Sequence, residues 1–427
     1  MTVQSLAAPG AGVADSYVGF DSPRFSLTRL SAKIKQLLAW LLSVFSFRRL
    51  RKGCRRLVRA ALREIHLEKK IRRRCRMADC FVRDNNCQPL SREEKCAIDD
   101  YWAQYGVRFR NYNSFLMNYT ITGRRDPRFI PDYFAYHVIY PYYNDLTKVS
   151  AYADKNKLPQ FLPSLRFPTV LGQRVRNHVY DHSGSYCGEE VSDGYVHALY
   201  QKIMETDNHD IIIKPSLSKG CGKGLKKYSI SCEEDVRAAL LDNFTFNSVI
   251  QLAVRQHPFF EQFNKSSVNI IRCTSWRRGG QVELFAPCIR FGIPGSCTDV
   301  AFRNGVEIVN CVGIGKDGQI FENGVGLDGK PIPLHVQDRQ VPCWDEIVAA
   351  IRRGHMAMDH FDIIGWDITV DSDGNVVCIE YNLGIPGALV YQFAHGPMAG
   401  EHTDEFLSFL KDPEVRRRVL PRSMLIA

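Results

Sequence analysis

The feature that most restricts this chain is GWDITVDSDGNVVCIEYNLG, residues 365–384. Ile363–Val370 and Asn375–Tyr381 read as β-strands around the turn Asp371-Ser-Asp-Gly374. A tight turn over Asp371–Val376 puts Val370 opposite Val377 and Asp367 opposite Glu380; Asn382, two residues further on, points to the same face. The remaining strand residues are apolar: Ile364, Trp366, Ile368, Val377 and Ile379. Carboxylates among such neighbours need a partner. Three oxygen-bearing side chains on one face suit a hard cation such as Mg²⁺. The alternative is a set of exposed acids on an edge strand, which fits the turn residues Asp371 and Asp373. Asp367, Glu380 and Asn382 are the candidate metal ligands.

A second constellation lies upstream, in IIIKPSLSKGCGKGL, residues 211–225. A short apolar strand delivers Lys214, and a loop with Gly220, Gly222 and Gly224 follows, interleaved with Ser216, Ser218, Lys219 and Lys223. Glycines let backbone N–H groups approach an anion, and lysines neutralise phosphate charge. The GxxxxGK[ST] spacing of a Walker loop is absent, and the glycines follow the strand Lys, the reverse of the kinase order. By itself such a loop reads either as a phosphate cradle or as a mobile surface loop. Gln251-Leu-Ala-Val254 ends a strand in front of a Pro-containing segment, where backbone groups could meet an adenine edge.

From Asp145 onward strands and helices alternate in a mixed α+β pattern. Helices are predicted from Val191 to Glu205 with Ser192 as N-cap, from a Ser231–Glu234 capping box through Leu241, and across Trp344, Ile347, Val348, Ile351 and Met358. Strands are predicted at Ser248–Val254, Val268–Ser275, Gln281–Arg290 and on either side of Asn304-Gly305. Further upstream, Ser91–Glu94 is another capping box, opening a helix expected to reach Gly106. An aromatic stretch from Phe109 to Tyr143 reads as helices and loops packed on the main domain.

The N-terminal segment is different in kind. From Arg24 to Arg76 there are 18 Lys and Arg against two acids, Glu64 and Glu68, although the whole chain carries only +10. The rest of the protein is therefore slightly acidic. Inside this arm Leu37–Phe47 reads LLAWLLSVFSF, too short to span a bilayer. Flanked by cations, it suits a helix lying in an anionic membrane interface or against a membrane glycosyltransferase. The same arm could equally pack on the body with its charges solvated. Nucleic acid is not an expected partner, because the basic run has almost no aromatic residue to stack on bases. No secretory leader and no spanning helix are seen, so the expected location is cytoplasmic, at most peripheral at the inner face of the membrane. The 14 cysteines form no CxxC pair and read as reduced thiols. No zinc spacing, histidine pair or GxSxG nucleophile signature is present.

A Lys strand, a glycine loop, a hinge-like strand and an acid–acid–Asn hairpin thus follow in order. With Asp154-Lys155-Asn156, Ile213-Lys214-Pro215, Val249-Ile-Gln251, Ser267-Val-Asn-Ile-Ile-Arg272, Gly365-Trp-Asp367 and Ile379-Glu-Tyr-Asn382, the chain resembles the ATP-grasp superfamily over roughly residues 130–395. It is most similar to the sugar-transfer-associated, carboxylate–amine ligase-like group. The resemblance implies an ATP-grasp fold, with two α+β subdomains sandwiching a nucleotide and a basic helical arm in front. The corresponding division is 1–76 (arm), 77–144 (helical, aromatic-rich), 145–250 (subdomain with the phosphate loop), 251–410 (subdomain with the metal hairpin) and 411–427 (tail).

The resemblance further implies ATP and Mg²⁺ as cofactors. Lys155 and Lys214 would meet the phosphates and adenine side, Ser216, Lys219, Gly220, Gly222, Lys223 and Gly224 would close over the β- and γ-phosphates, and Gln251 to Val254 would take adenine. Asp367, Glu380 and Asn382 would hold Mg²⁺. Arg272 and Arg290 are the candidates to stabilise a transferring phosphoryl group and an acyl phosphate. Asp299 is followed by Val300-Ala instead of a polar, Asn-bearing pattern, and is not counted among the site residues. The implied activity is a carboxylate–amine, or carboxylate–thiol, ligase acting through an acyl phosphate on a small or sugar-linked carboxylate in surface-polysaccharide or sugar-precursor synthesis. The alternative is a membrane-tethered nucleotide-binding scaffold without turnover.

Overall fold

Short apolar strands with period-two alternation pair into two antiparallel sheets, seen in a computed structural model that describes residues 48–217, 223–303, 306–387 and 389–426. Lys219, Gly220 and Gly222, the arm up to residue 47 with its apolar run, and the Asn304-Gly305 turn lie outside the described residues. The first sheet contains β1 (Val170–Val175), β2 (His178–Asp181), β3 (Tyr186–Gly188), β4 (Asp210–Pro215), β5 (Lys226–Ser229) and β6 (Ser248–Leu252), in the order β3-β2-β1-β6-β4-β5. The second contains β7 (Ile270–Arg278), β8 (Gln281–Phe291), β9 (Val300–Arg303), β10 (Val306–Gly313), β11 (Asn323–Gly326), β12 (Pro331–Pro333), β13 (Ile363–Val370) and β14 (Val376–Asn382). Its order is β12-β11-β10-β8-β7-β13-β14, with β9 on β10. The helices that matter here are α1 (Arg48–Asp84), α2 (Arg92–Ala103), α3 (Asn113–Thr122), α4 (Asp193–Met204), α5 (Glu233–Asn243), α6 (Trp344–Met356) and α7 (Leu389–His395).

Local chemistry sets most of these boundaries. Ser91 and Glu94 form the expected capping box at the start of α2, but the helix stops at Ala103. Gly106 instead takes a left-handed conformation in the turn beyond, where a Cβ would strike the Arg416 side chain. Ser192 caps α4 by accepting from the Tyr195 N–H. The box at α5 sits one residue later than the sequence suggests: Cys232 is the N-cap, and Asp235, not Glu234, receives the Ser231 and Cys232 N–H groups at 2.8 and 3.2 Å.

Helices α4 and α5 cover one face of the first sheet, burying Leu171, Ile211, Ile213 and Ile250 against Val196, Leu199, Val236 and Leu240. Alternation sends Ile212 and Lys214 to the other face. On the second sheet α6 covers Ile271, Ile289, Ile364, Trp366 and Ile368, so Arg272 and Asp367 face the opposite way. Residues 90–140 and the C-terminal segment share a third core, in which Trp102, Phe115 and Phe134 pack with Phe406, Leu410, Leu420 and Met424. Helix α1 runs unbroken past residue 76 and docks there through Ile71, Cys75 and Val82. Asn144 fastens this region to the site: its amide donates to the carbonyls of Ile363 and Leu383, both at 2.7 Å, and accepts from the N–H groups of Asp362 and Ile363.

The β13–β14 hairpin corrects one expectation. Val370 pairs with Val376, not Val377, because Asp371 and Asn375 close a tighter turn than the sequence spacing implies. A bulge between Ile368↔Cys378 and Asp367↔Glu380 absorbs one residue and restores the pairing of the two acids.

Candidate active site

The site is built on register. Across three adjacent strands Arg272 pairs with Asp367, and Asp367 with Glu380; one step along, Gly365 pairs with Asn382. Cross-strand partners on one face lie within side-chain reach, and here they engage. The Arg272 guanidinium grips Asp367 with Nε on Oδ1 and Nη2 on Oδ2, the latter at 2.7 Å. The Asn382 amide donates to Asp367 Oδ2 at 3.1 Å, which leaves its carbonyl oxygen for another partner. Gly365 is required by space: a Cβ there would lie 2.7 Å from the Pro386 carbonyl oxygen, in the segment that also contacts Arg272 and Tyr391.

Two lysines approach this row from elsewhere in the chain. Lys155 Nζ is 3.0 Å from Glu380 Oε2. Its own N–H donates to the Ser216 carbonyl, and the Ser216 N–H donates to Asn247, tying the Lys155 segment to the end of β4. Lys214 sits on the cleft face of β4 and, like Lys155, is buried, at 7% and 6% exposure. Burial and then neighbouring Lys155 lower the Lys214 amine to about 8, against the pull of Glu380 and Asp367. Burial alone would raise the Glu380 carboxyl, but Lys155 and Lys214 outweigh it and hold it near 2. Burial raises Asp367 to about 6 against the pull of Arg272, with Glu380 adding to the rise. Glu380 is thus ionised at neutral pH, while Asp367 is the weaker acid of the two. The protein's own cations offset part of the repulsion between the two carboxylates, and the rest shows in the raised Asp367.

These groups open into one cleft between the sheets. Lys155, Lys214, Lys223, Asp299, Asp367 and Glu380 supply its charge, and Pro168, Ile212, Leu225, Leu252, Val268 and Ile270 its apolar lining. Gln251 and Val254 also line it, Gln251 because its pairing with Ile212 puts it on the cleft side of β6. Ser216 does not line the cleft; it is buried beneath it. Gly224 adopts φ +81° against the Pro215 ring.

Arg290 lies on β8 and is not paired at the surface. It makes a 2.7 Å ion pair with Asp299, both side chains largely buried. Asp299, with Cys297 and Thr298, lines the cleft. Sequence reasoning passed over Asp299 because of the apolar residues after it. Val300 and Ala301 are apolar because β9 buries them, which says nothing about the loop residue before them. Ile212 was also missed, although the alternation with Lys214 carried the signal.

Asp367, Glu380 and Asn382 offer two carboxylates and an amide oxygen from adjacent strands, beside a lysine-lined cleft. Mg²⁺ is commonly bound through one or two carboxylates plus substrate phosphates, and this donor set fits it. Among the described residues no group of three or more His, Cys, Asp and Glu side chains is arranged to hold a metal.

Two antiparallel sheets that face each other across a cleft, Lys214 from one and an Asp–Glu–Asn row from the other, make this an ATP-grasp fold. Residues 227–406 match the family model described as sugar-transfer associated ATP-grasp, and the resemblance carried by the motifs stands. The match begins after the glycine loop, so Lys155, Lys214 and residues 216–224 lie outside it. No curated protein matches the sequence. Similar solved structures include D-alanyl-alanine synthetase A from Vibrio cholerae O1 biovar eltor (12% identity, 62% of this chain and 65% of that one, TM-score 0.37). D-alanine–D-alanine ligase from Bacillus anthracis is 13% identical over 65% of this chain and 71% of that one, with TM-score 0.37. N5-carboxyaminoimidazole synthase from Aspergillus clavatus is 9% identical over 56% and 47%, with TM-score 0.32. The chain thus spans less than two thirds of the Vibrio enzyme it resembles.

Proposed function

We propose that this protein is an ATP- and Mg²⁺-dependent ligase that activates a carboxylate as an acyl phosphate and joins it to an amine, with a thiol as the less favoured nucleophile. The observation that carries the reading is the Arg272–Asp367–Glu380 row facing Lys155 and Lys214 at a cleft lined by both charged and apolar residues. A nucleotide needs both kinds of lining, for a flat apolar base and a polyanionic tail. Gln251 and Val254 line the cleft and suit adenine, and Lys155, Lys214 and Lys223 suit the phosphates.

Asp367, Glu380 and Asn382 would hold Mg²⁺, which when bound neutralises phosphate charge and orients the transferred group. The protein's own part is positioning and charge. Lys155 and Arg272 rest on the two carboxylates in the free protein. Once released from them, they are placed to meet phosphate oxygens. Arg290, held by Asp299 at the cleft wall, suits the substrate carboxylate and the negative charge that develops on it. The family description favours a sugar-linked carboxylate, such as a uronic acid or a surface-polysaccharide precursor.

The test is ADP release by the purified protein against mixed sugar acids and amines. Release that requires both an acid and an amine is expected. Nucleotide binding without turnover under every combination would favour a scaffold, and no nucleotide binding at all would refute the reading.

A further inference from the structure

The catalytic cleft does not use α1, yet this helix carries the most concentrated charge among the described residues. Its docked side is mostly apolar: Ile71, Cys75, Ala78, Phe81 and Val82 pack on the body, and Arg74 is tied there to Asp132 at 2.9 Å. Docking fixes the opposite side outward. There Ile65, Lys69, Arg72, Arg73 and Arg76 recur at spacings of three and four, with Met77 four residues after Arg73, so they share one face. All are exposed, and Lys70 flanks them. Among the described residues none of the cations Lys69, Lys70, Arg72, Arg73 and Arg76 is within ion-pair distance of a carboxylate. Like charges three and four apart on a helix repel, a cost that an anionic partner removes.

Two further observations bear on the partner. Ile65 and Met77, at 46% and 39% exposure, are among the few large apolar side chains left in solvent, and they sit at either end of the cationic face. Beside the helix, Glu64 accepts from the Arg422 N–H, which brings the exposed Arg417 and Arg422 of the C-terminal segment to the same end of the molecule.

We propose that the outward face of α1 is a docking surface for an anionic lipid bilayer, with its cations on lipid phosphates and with Ile65 and Met77 dipping below them. Cations mixed with exposed apolar side chains are the composition of an interfacial helix. The sequence that leads into α1 is the apolar run Leu37–Phe47, which continues that character. The face carries no exposed Phe, Tyr or Trp ring, only the small imidazole of His66, which gives a base little to stack on and disfavours single-stranded nucleic acid. The proposal is independent of the ligase reading.

The test is co-sedimentation of the full chain with vesicles of phosphatidylcholine alone and of phosphatidylcholine with phosphatidylglycerol at 7:3. Binding is expected only to the anionic vesicles, and it should fall steeply as salt is raised. Each cation near such a surface contributes roughly fivefold. Reversing Lys69, Arg72, Arg73 and Arg76 to Glu should therefore weaken binding by more than about a hundredfold, with thermal unfolding checked to show the variant is folded. Should that variant not fold, Lys69→Gln with Arg73→Gln should still cost roughly twentyfold. Ile65→Asn with Met77→Asn should weaken binding at constant charge. Equal binding to both vesicle types overturns the proposal. So does a folded charge variant that binds like wild type, or salt-sensitive binding to homopolymeric RNA with none to vesicles.

Discussion

Glu380 in the free protein is held by Lys155 at 3.0 Å and carries the lowered pKa of a well-paired carboxylate. Replacing it by Gln keeps the shape and removes the charge, and the consequences have opposite signs with and without metal. Without Mg²⁺, Lys155 loses its internal partner and becomes available to phosphate, so a non-hydrolysable ATP analogue should bind at least as tightly as to wild type. With Mg²⁺, one of the two carboxylates facing the cation is gone. A unit charge pair about 4 Å apart at an effective dielectric near 20 is worth about 4 kcal/mol. The Mg²⁺-dependent gain in affinity should therefore shrink by roughly a hundred- to thousandfold, and ADP release by a similar factor. Asp371→Asn is the matched control. It also removes one charge from the hairpin, but Asp371 Oδ1 closes the turn, accepting from the Asp373 and Asn375 N–H groups at 3.0 and 2.8 Å, and Oδ2 meets only the exposed Arg166 at 3.8 Å and the Asn375 amide. An amide oxygen can do the same, so the loss should stay below about tenfold. Calorimetric titration of both variants with the analogue, with and without Mg²⁺, decides the matter. Equal effects of the two substitutions, or wild-type binding indifferent to Mg²⁺, would refute the reasoning.

Lys214→Ala should weaken nucleotide binding and abolish turnover while leaving thermal unfolding nearly unchanged, because it removes a cation from the cleft and not core volume; wild-type affinity in this variant would exclude Lys214 from the phosphate site. Affinity should also depend on pH with a definite sign. Lys214 titrates near 8 in the free protein, and a polyanion raises that value, so binding takes up a proton above pH 8: affinity should be level below that pH and fall as pH rises past it. Isothermal titration across pH 6.5–10 checks this, and Lys214→Arg should flatten the fall, since guanidinium stays charged. Asn144→Ala should destabilise the fold by about 2–4 kcal/mol in denaturant titrations, because it strands several buried backbone groups at once. Gly365→Ala should cost about 1–3 kcal/mol, since the added Cβ meets backbone and not a flexible side chain.

The pairing of Asp367 with Glu380 could be read from the sequence because strand geometry has a period of two and the apolar neighbours fixed which face was core. It was read correctly for an incomplete reason. The turn is one residue tighter than expected, and a bulge near Ile379, which no local sequence signal marks, restores the register. The α4 cap was legible because Ser192 acts on an N–H three residues away. The α5 cap was placed one residue early because Ser231, Glu234 and Asp235 all have the chemistry to cap, and only the backbone path selects among them.

The sequence by itself determined the types of element, the ordered motifs, the candidate metal ligands and the division into a basic N-terminal arm and a slightly acidic remainder. These rest on interactions within a few residues or on composition, and both survive being read in one dimension. Tertiary structure decided which cation answers which acid: Lys155 reaches Glu380 across 225 positions of chain, Arg272 grips Asp367, and Arg290 pairs with Asp299. It also decided that residues 90–140 and the C-terminal segment share one core and that α1 keeps Lys69, Arg72, Arg73 and Arg76 on the outside. Charge pairing acts through space, over distances of a few ångströms that carry no fixed relation to separation along the chain, so no spacing in the sequence could have encoded it.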